Sequence, residues 1–402
     1  MSAVRRLRRP TPDRLRIAFV SDAVHPFNCG GKETRLREIS TRLAARGHEV
    51  HIYTMRWWSD GPPTTVLDGV TLHALCPLRP LYHHGRRSTR QAILFGLATL
   101  RMIGEPFDVM DVDHMPFFPL FSARLVCSVR RRPLLGTWHE VWGRTYWRDY
   151  LGRAGAFGAL SERLAFRMPD RIVSNSPQTT ARLLDRNVRR PITTVALGVD
   201  AEHIASVPAA GSMSDVIFAG RLLPNKNVSV LLDAISLLIP SRPGLRCLIV
   251  GEGPERQDLE ARARRLAPTN VEFIDFLPSH DDVIALMKGS KVFVLPSVRE
   301  GFGLVALEAN ACGLPVVTID HPDNASRHLV EHGCNGFVVP LDAGAIATAI
   351  ESCLEAVDSG SMSPATGIRE GQHWSTVVDR LERVFYEVTG PTCAASSRRP
   401  LE

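Results

Sequence analysis

Residues 292–308 read VFVLPSVREGFGLVALE. The first four, Val292–Leu295, are β-branched, aromatic or leucine side chains, a composition typical of a strand that is buried on both faces. Two glycines, Gly301 and Gly303, then lead into an apolar stretch that begins at Leu304 and predicts a helix. A buried strand, a glycine turn and a helix make one βα unit, and repeated βα units build parallel sheets.

The same unit repeats on both sides of this stretch. In the first half, Arg16–Ser21 (RIAFVS) predicts a strand, and Glu33–Arg46 predicts the helix that follows it. The other predicted strands are Val50–Thr54, Val109–Val112, Leu134–Thr137, Arg171–Ser174, Val216–Ala219, Arg246–Val250, Val271–Ile274 and Pro315–Thr318, and the predicted helices of the second half are Val228–Leu238, Glu255–Leu266, Asp281–Met287 and Leu304–Cys312. The sequence therefore predicts an α/β protein with two Rossmann-like, doubly wound parallel sheets.

The domain boundaries follow from length and composition. A chain of 402 residues predicts two or three domains, and the Ala, Ser, Pro and Gly residues between Glu202 and Asp215 predict a linker. The predicted segments are a basic N-terminal arm at 1–15, a first domain at 16–205, a second domain at 206–372, an amphipathic helix at 373–390 and a frayed tail at 391–402.

Charge is distributed unevenly along the chain. The net charge of +6 is the sum of +13 over residues 1–205 (31 Lys and Arg against 18 Asp and Glu) and −7 over residues 206–402 (17 against 24). A basic first half suits an acidic substrate or an anionic membrane surface, whereas no zinc-finger or helix-turn-helix pattern supports nucleic acid. The eight cysteines form no CxxC pair, and no apolar run reaches the ~20 residues of a membrane-spanning helix. We therefore expect a cytoplasmic protein.

Charged residues of the second half collect where predicted strands end, which is where open α/β sheets bind ligands. Glu300 precedes a predicted helix and Glu308 lies within it, and the glycines between them allow the backbone to approach a ligand. Arg221 and Lys226 follow the strand Val216–Ala219. An arginine fork beside an ammonium group suits a diphosphate, whose phosphates each present several oxygens.

The first half has weaker signals at its strand ends. The segment Pro26–Glu33 contains a Gly-Gly turn that can deliver backbone amides to an anion, but it lacks the GxGxxG spacing of a dinucleotide site, which disfavours a nicotinamide enzyme. His139 follows the strand Leu134–Thr137 and is a candidate for binding a sugar hydroxyl or the reacting centre. Asp111 and Asp113 form a DxD triplet, but two carboxylates at this spacing are common by chance, and we predict no metal site.

These motifs together resemble the family 4 glycosyltransferases, which have the GT-B fold of two facing Rossmann-like domains with a cleft between them. The resemblance extends from Arg16 to about Val388. Its most specific element is the E-x7-E motif, from Glu300 to Glu308. The other matching segments are Gly220-Arg221-Leu222 with Lys226, Gly251–Pro254, Ala311–Val317, Gly30–Glu33 and Arg46–Val50.

The resemblance implies a retaining transferase that moves a sugar from a nucleotide-diphosphate donor, without a bound metal and without a cofactor other than that co-substrate. It implies that the domain at 16–205 binds the acceptor, that the domain at 206–372 binds the donor, and that the helix at 373–390 crosses back onto the first domain. It implies that Arg221 and Lys226 hold the diphosphate, that Glu308 holds the ribose, and that Glu300 holds the donor sugar together with the backbone amides that follow it. The residues implied to bind the donor are Gly31, Arg221, Lys226, Glu300, Gly301, Phe302, Gly303, Leu304 and Glu308, and those implied to act in catalysis are Glu300, His139, Lys226 and Arg221.

The identity of the substrates stays open at the level of the sequence. Either a UDP- or a GDP-hexose fits, because Asp275 and Pro278 stand where the family commonly has glycines near the nucleobase. The expected acceptor is a hydroxyl compound such as an envelope glycan, a lipid-linked sugar or a secondary metabolite. The basic first half adds the hypothesis of an anionic or membrane-bound acceptor, with Arg86–Arg90 and Ala92–Leu100 as the contact at the inner face of the cell membrane.

Two other functions fit the same pattern. One is a sugar-nucleotide epimerase or a phosphorylase on this fold, and the other is a non-catalytic protein that binds a sugar nucleotide. Aromatic residues of the first half are equally consistent with platforms for an acceptor ring and with core packing. They are Trp57, Trp58, Trp138, Trp142, Tyr146 and Trp147.

Overall fold

The structure is a computed structural model that describes residues 14–83, 86–211, 214–277, 279–362 and 368–390. Most of the predicted basic arm and the whole of the predicted tail lie outside the described residues. The chain divides into two compact units. The first comprises the residues up to Ala196 together with those from Trp374, and the second comprises Leu197–His373.

The first unit is built on a large sheet. Its strands are β1 (Arg16–Val20), β2 (Glu49–Arg56), β3 (Thr64–Leu67), β4 (Val70–Pro77), β5 (Tyr82–His83), β6 (Arg86–Arg87), β7 (Val109–Asp113), β8 (Leu134–Trp138), β9 (Arg171–Ser174) and β10 (Ile192–Thr194). Eight of them form one sheet in the order β10-β9-β8-β7-β1-β2-β4-β3, and β5 and β6 form a separate hairpin. The helices are α1 (Gly31–Ala45), α2 (Thr89–Thr99), α3 (Phe118–Arg130), α4 (Gly143–Leu151), α5 (Gly155–Ala165) and α6 (Pro177–Asp185).

Parallel pairing brings the carboxyl ends of the central strands to one edge. β1 pairs in parallel with β2 and with β7, and Ile17 lies opposite Val50 on one side and Val109 on the other. The exception is β3, which pairs antiparallel with β4 through a turn at Asp68 and Gly69, both with positive φ. Two consecutive positive φ values favour an Asp-Gly turn, so this dipeptide was a hairpin signal that the prediction of a purely parallel sheet overlooked.

The second unit contains a six-stranded, fully parallel sheet. Its strands are β11 (Ser214–Ala219), β12 (Cys247–Val250), β13 (Val271–Ile274), β14 (Ser290–Leu295), β15 (Val316–Ile319) and β16 (Gly336–Val339), in the order β13-β12-β11-β14-β15-β16. Its helices are α7 (Ala201–Ser206), α8 (Val228–Leu238), α9 (Arg256–Leu266), α10 (His280–Lys288), α11 (Leu304–Ala311) and α12 (Ala343–Ser359). Among the residues that the structure describes, no helix combines the length and the apolarity needed to cross a bilayer.

The predicted linker and boundary are placed differently by the structure. Ala201–Ser206 forms the helix α7, whose first turn is capped by Asp200, since its side chain accepts a hydrogen bond from the backbone N–H of His203. Lys288 Nζ donates to the carbonyl oxygens of Ile204 at 3.0 Å and Ala205 at 3.1 Å. These contacts attach α7 to the second unit, which therefore begins at Leu197 rather than at residue 206.

The C-terminal helix α13 (Trp374–Thr389) belongs to the first unit and packs on α1. Its amphipathic pattern buries one face, and the ring of Phe385 meets that of Phe19 on β1 at 6.1 Å. Beside this apolar contact, Glu382 receives hydrogen bonds from Arg46 at 2.6 Å and from His48 Nε2 at 2.7 Å. The other ring nitrogen of buried His48 accepts from the backbone N–H of Leu15 at 3.1 Å. Glu382 thus ties the helix to the start of the sheet.

We expect Glu382→Gln to lower the free energy of unfolding at pH 7 by about 0.5–1 kcal/mol, because charge-assisted hydrogen bonds stabilise a protein modestly at a partly exposed site. Partial burial alone would raise the pKa of Glu382, but hydrogen bonds from His48 and Arg46 bring it below its ordinary value of 4.5. The stability contributed by the ionised carboxylate is complete above that pH and is lost as the pH falls through the lowered pKa. In urea titrations the difference between wild type and variant should therefore shrink below pH 4.5.

Glu387→Gln on the same helix is the matched control. Glu387 pairs with Arg171 at 2.5 Å, but its side chain is 59% exposed, so we expect its loss to be smaller. Equal destabilisation by the two variants, or a difference that does not depend on pH, would contradict the role given to Glu382.

Candidate functional site

Two loops leave neighbouring strands of the second unit and meet at the carboxyl edge of its sheet. β11 and β14 pair in parallel, with Ile217 opposite Phe293, so the loops that follow them start side by side. Lys226 Nζ, on the first loop, lies 2.5 Å from Glu300 Oε1 on the second. The backbones also bond, because Val298 N–H donates to the carbonyl of Asn225 at 3.1 Å. A lysine and a glutamate 74 positions apart in sequence therefore form one mostly buried ion pair.

Backbone contacts fix the position of Glu300 and of the helix that follows it. The N–H of Glu300 donates to the carbonyl of Asp323 at 3.1 Å, and its carbonyl accepts from Ala325 at 2.9 Å. Gly303 precedes α11 with a φ of 92°, and a Cβ atom there would lie 2.4 Å from Cβ of Ser326. A side chain would be both strained and obstructed at this point, so glycine allows the loop to close over the 323–326 segment. The N-terminal amides of α11 carry the positive end of its dipole beside the ion pair.

Glu308 lies within α11 and has a different partner. It is 7% exposed, and its Oε1 lies 3.1 Å from Nε2 of His280, the first residue of α10. The two glutamates of the E-x7-E motif therefore have different partners, a lysine for Glu300 and a histidine for Glu308. Both carboxylates retain a second oxygen, and oxygen acceptors of this kind bind sugar hydroxyl groups.

The loop that carries Arg221 is held by its neighbour after β12. Leu222 N–H donates to the carbonyl of Glu252 at 2.8 Å, and its own carbonyl accepts from Glu255 at 3.3 Å. A Cβ atom at Gly253 would lie 2.2 Å from the carbonyl oxygen of Leu222. The close approach of the two backbones requires glycine here, and it fixes the direction in which the Arg221 loop leaves the sheet.

A second cluster of charges lies at the carboxyl edge of the first sheet. Asp22, just after β1, is 1% exposed. Its Oδ1 accepts from Lys32 Nζ at 2.9 Å, and its Oδ2 accepts from Arg87 at 2.7 Å and from Gln91 at 3.2 Å. Burial alone would raise the pKa of Asp22, but Lys32 and Arg87 hold it below its usual value. The cluster joins β1, the start of α1, the short hairpin and α2 around one carboxylate.

His139 and the DxD triplet adjoin this cluster. His139 Nε2 lies 2.9 Å from Oδ1 of Asp113, whose other oxygen is 3.8 Å from Lys32 Nζ. Burial by itself would raise the pKa of Asp113, yet Lys32 and His139 hold it well below its usual range. Asp111 accepts instead from the hydroxyl of Thr137 at 2.8 Å, and burial raises its pKa to about 6. The two carboxylates of the triplet thus have separate partners.

Comparison with known proteins places the chain in a family. The family profile described as "Glycosyltransferase Family 4" matches residues 29–203, and the one described as "Glycosyl transferases group 1" matches residues 200–359. The D-inositol 3-phosphate glycosyltransferase of Saccharomonospora viridis is 30% identical to this chain over 75% of it and 77% of the relative. The chain belongs to the family 4 glycosyltransferases. A protein of the same name from Geodermatophilus obscurus is 29% identical to this glycosyltransferase, and the match covers 99% of this chain and 94% of the relative.

Solved structures agree on the fold of this glycosyltransferase. Anabaena HepE, in complex with UDP and glucose, has a TM-score of 0.71 at 19% identity and covers 93% of this chain and 100% of its own. Sucrose-phosphate synthase from Thermosynechococcus elongatus has a TM-score of 0.70 at 19% identity, and the match covers 92% of this chain and 98% of the synthase. The predicted α/β fold with two parallel-sheet units of the GT-B type is confirmed.

The structure places the predicted site residues of the glycosyltransferase in two groups. In the second unit it brings Lys226 and Glu300 into contact, and the same sheet edge carries Arg221, Gly301, buried Phe302, Gly303, Leu304 and Glu308. In the first unit, Gly31 is the first residue of α1 and His139 follows β8. Of the predicted aromatic platforms, Trp138 and Trp147 are core residues that are 0% and 6% exposed.

Sequence reasoning missed several polar residues of these edges. Asp22 follows a strand, as Glu300 and His139 do, and this position after a strand end could have marked it as a candidate site residue. Arg87 reaches Asp22 from the hairpin, and His280 reaches Glu308 from α10, across 65 and 28 positions. No local pattern marks such pairs, because they arise only when distant elements pack together.

Comparing Gly303→Ala with Gly313→Ala, on either side of helix α11, distinguishes the cost of a positive φ at alanine from the cost of a steric clash of its Cβ atom. Both glycines have positive φ, 92° and 86°, but a Cβ atom at Gly313 meets nothing within 4 Å. Each alanine lowers the free energy of unfolding by about 1 kcal/mol because it must adopt the left-handed conformation, and only the alanine at position 303 also clashes with Ser326. We expect Gly303→Ala to lose at least about 1 kcal/mol more in urea unfolding. Equal losses would show that the loop over residues 323–326 is not closely packed.

Proposed function

We propose that this glycosyltransferase moves a hexosyl group from a UDP- or GDP-hexose to a hydroxyl acceptor, with retention and without a bound metal. The observation that carries the proposal is the pair formed by Lys226 and Glu300 at 2.5 Å, beside the start of α11. This arrangement places a cation, a carboxylate and helix-end amides at one sheet edge, where a diphosphate and a sugar can be held together.

Lys226 and Arg221 would bind the diphosphate. As the bond between the sugar and the phosphate breaks, negative charge grows on the leaving oxygen, and fixed cations stabilise that charge more than they stabilise the bound substrate. Glu300 neutralises Lys226 with one carboxylate. A diphosphate offers more charge and more oxygens, so it competes for the same ammonium and releases Glu300 toward the hydroxyl groups of the sugar. The acceptor oxygen then bonds to the anomeric carbon, and its proton leaves with the departing phosphate.

Glu308 would hold the ribose of the donor. Its helix fixes the carboxylate, and His280 Nε2 at 3.1 Å orients one oxygen, so the other oxygen can accept a hydrogen bond from a hydroxyl group. The ribose does not change during transfer, and this contact therefore stabilises the ground state and the transition state equally.

Of the two residues linked to the choice of nucleobase, Asp275 pairs with Arg256 at 3.1 Å, and Pro278 lies outside the described residues.

The compared proteins indicate which substrates to test first. Anabaena HepE was solved with UDP and with UDP-glucose, which favours a uridine donor. The relatives are named D-inositol 3-phosphate glycosyltransferases, which makes a cyclitol phosphate the first candidate acceptor. A thermal-shift panel of UDP- and GDP-sugars should show stabilisation by one nucleotide class, because a ligand that binds only the folded state raises its stability. No shift with any of them would contradict the proposal.

Product analysis distinguishes the transferase from its alternatives. A sugar-nucleotide epimerase turns over with the donor alone, a phosphorylase needs phosphate, and a binding protein gives no product. A transferase releases the nucleoside diphosphate in proportion to the acceptor consumed. Donor conversion without any acceptor would favour the epimerase.

Kinetics of two variants test how the site divides its work. Lys226→Ala should lower kcat by roughly 10²–10³-fold, the scale for losing one preorganised electrostatic contact to a transition state. Glu308→Gln should mainly raise the donor KM, since the charged hydrogen bonds it loses, worth about 1.5–3 kcal/mol, act equally in both states. Lys291→Ala is the control, because Lys291 pairs with Asp358 at 3.1 Å outside the site.

The reverse pattern would refute these roles. Loss of turnover with unchanged donor affinity in Glu308→Gln, together with normal kinetics in Lys226→Ala, would move the diphosphate to other residues. Circular dichroism of each variant confirms that folding is retained.

Metal independence is tested by chelation. We expect activity to survive EDTA, because Lys226, Arg221 and helix-end amides can balance the leaving charge that Mg²⁺ balances in other transferases. Asp113→Asn should leave donor affinity unchanged, since Asp113 pairs with His139 and Lys32 in the first unit. Complete loss of activity in EDTA that Mg²⁺ or Mn²⁺ restores would contradict this part of the proposal.

A further inference from the structure

Helix α5 presents an apolar stripe to solvent. Phe157, Leu160 and Leu164 are 59%, 54% and 38% exposed. Their spacing of three and four residues puts them on one side of the helix, whereas the opposite side carries residues that are buried in the unit, including Gly158 and Glu162. Large apolar side chains grouped in this way mark an interaction surface, in contrast to single exposed leucines, which are common.

Exposed arginines are frequent in the segment that carries the stripe. Within 143–167, all of which the structure describes, the exposed charged residues are Arg144, Arg148, Asp149, Arg153, Arg163 and Arg167. Five arginines and one aspartate give the exposed side chains of this segment a net charge of +4. The other acidic residue, Glu162, is 3% exposed and accepts hydrogen bonds from Trp142 N–H at 2.8 Å and Gly143 N–H at 2.9 Å. It therefore contributes to the anchoring of α4 and not to the outer surface.

We infer that the outer face of α4 and α5 docks on an anionic membrane surface. Phe157, Leu160 and Leu164 would enter the headgroup region, and the exposed arginines of this segment would contact lipid phosphates. A helix with an apolar stripe and a cationic border lies in the plane of the interface and buries its apolar face only shallowly. The surface potential of anionic lipids attracts each nearby arginine.

A second copy of the chain is a less suitable occupant of this face. A symmetric dimer would bring the same arginine-rich surface against itself, and like charges at close range repel. Three apolar side chains on one helix also fall short of the apolar area that stable homodimers bury. A lipid surface requires only shallow insertion and supplies the opposite charge.

This face differs from the contact predicted from the sequence, Arg86–Arg90 with Ala92–Leu100. Arg87 is turned toward Asp22 at 2.7 Å, so it belongs to the buried cluster of the first unit. Helix α2 does expose Ile93 and Leu97, at 40% and 57%, but Arg90 is the one charged residue between Thr89 and Thr99. The α5 stripe therefore has the charge complementarity that α2 lacks.

The docking face is continuous with the segment that follows His139. Glu162 on the inner side of α5 holds the backbone N–H groups of Trp142 and Gly143, three and four positions beyond that histidine. Membrane docking would thus favour a lipid-linked hydroxyl acceptor. That consequence rests on the proposed function, whereas the membrane contact itself does not.

Vesicle flotation with the full chain tests the contact. The protein should float with phosphatidylcholine vesicles that contain phosphatidylglycerol at low salt, and less at high salt, because surface electrostatics is screened. Phe157→Ser/Leu160→Ser should weaken this binding by about tenfold or more, since two side chains no longer insert. Ile93→Ser/Leu97→Ser is the matched control and should bind as wild type does. Arg153→Gln/Arg163→Gln should bind more weakly and depend less on salt.

Three outcomes would overturn the inference. The first is that the protein does not bind anionic vesicles at low salt. The second is that the α2 control loses as much vesicle binding as the α5 variant. The third is a concentration-dependent dimer, measured by light scattering, that the α5 variant abolishes while neither protein binds vesicles. The last result would assign the face to contact between copies. Thermal melts confirm that each variant folds. Flotation does not depend on turnover, so a protein that floats as expected but shows no nucleotide thermal shift would contradict the proposed function alone.

Discussion

The parallel pairing of β11 with β14 is the constraint on which the site of the second unit depends. The two strands are not consecutive in sequence, and the chain forms β12 and β13 on one side before it returns to the other. Because their carboxyl ends are neighbours, the loops that follow them carry Lys226 and Glu300 into contact. An ion pair at a mostly buried position persists only where both partners are held, and here backbone hydrogen bonds from Val298 and Ala325 hold the glutamate loop.

The first unit applies the same chemistry at its own sheet edge. Asp22 is almost fully buried, which would be costly for a lone carboxylate. Lys32, Arg87 and Gln91 occupy both of its oxygens, so removing one partner would leave a buried charge partly unmatched. The cluster also attaches the short hairpin that carries Arg87, which has only two residues in each strand and is held besides by buried Leu81 and by the hydrogen bond from Arg87 N–H to the Tyr150 hydroxyl at 2.7 Å. Charge pairing therefore contributes to the order of the loops here, together with apolar packing.

Sequence patterns predicted what depends on local composition. The strand Arg171–Ser174 has the predicted bounds, and β1, β7 and β8 differ by one residue at an end, because β-branched runs between polar turns define buried strands. The patterns failed where tertiary contacts decide. The strand β16 (Gly336–Val339) was not predicted, although three of its four residues are aromatic or β-branched, because so short an apolar run cannot be assigned from local composition. The helix α7 is short enough that it depends on its Asp200 cap and on Lys288. The E-x7-E motif pointed to both glutamates and another segment pointed to Lys226, but neither the contact of Glu300 with Lys226 nor that of Glu308 with His280 was predicted, since the partners come from other elements.

The separate partners of Glu300 and Glu308 are consistent with the two different roles proposed for them. Glu308 is fixed by a helix, is almost fully buried and faces a histidine, so it can move little when charge develops elsewhere. Such a group suits a part of the substrate that does not react. Glu300 lies on a loop before the helix, and its carboxylate is balanced by Lys226, the residue proposed to bind the diphosphate. Under the proposed function its interactions would change when the diphosphate binds, and a contact that changes along the reaction alters the rate of a step rather than the affinity alone. The glycine at 303 separates these two environments, because it ends the loop and starts the helix within a single residue.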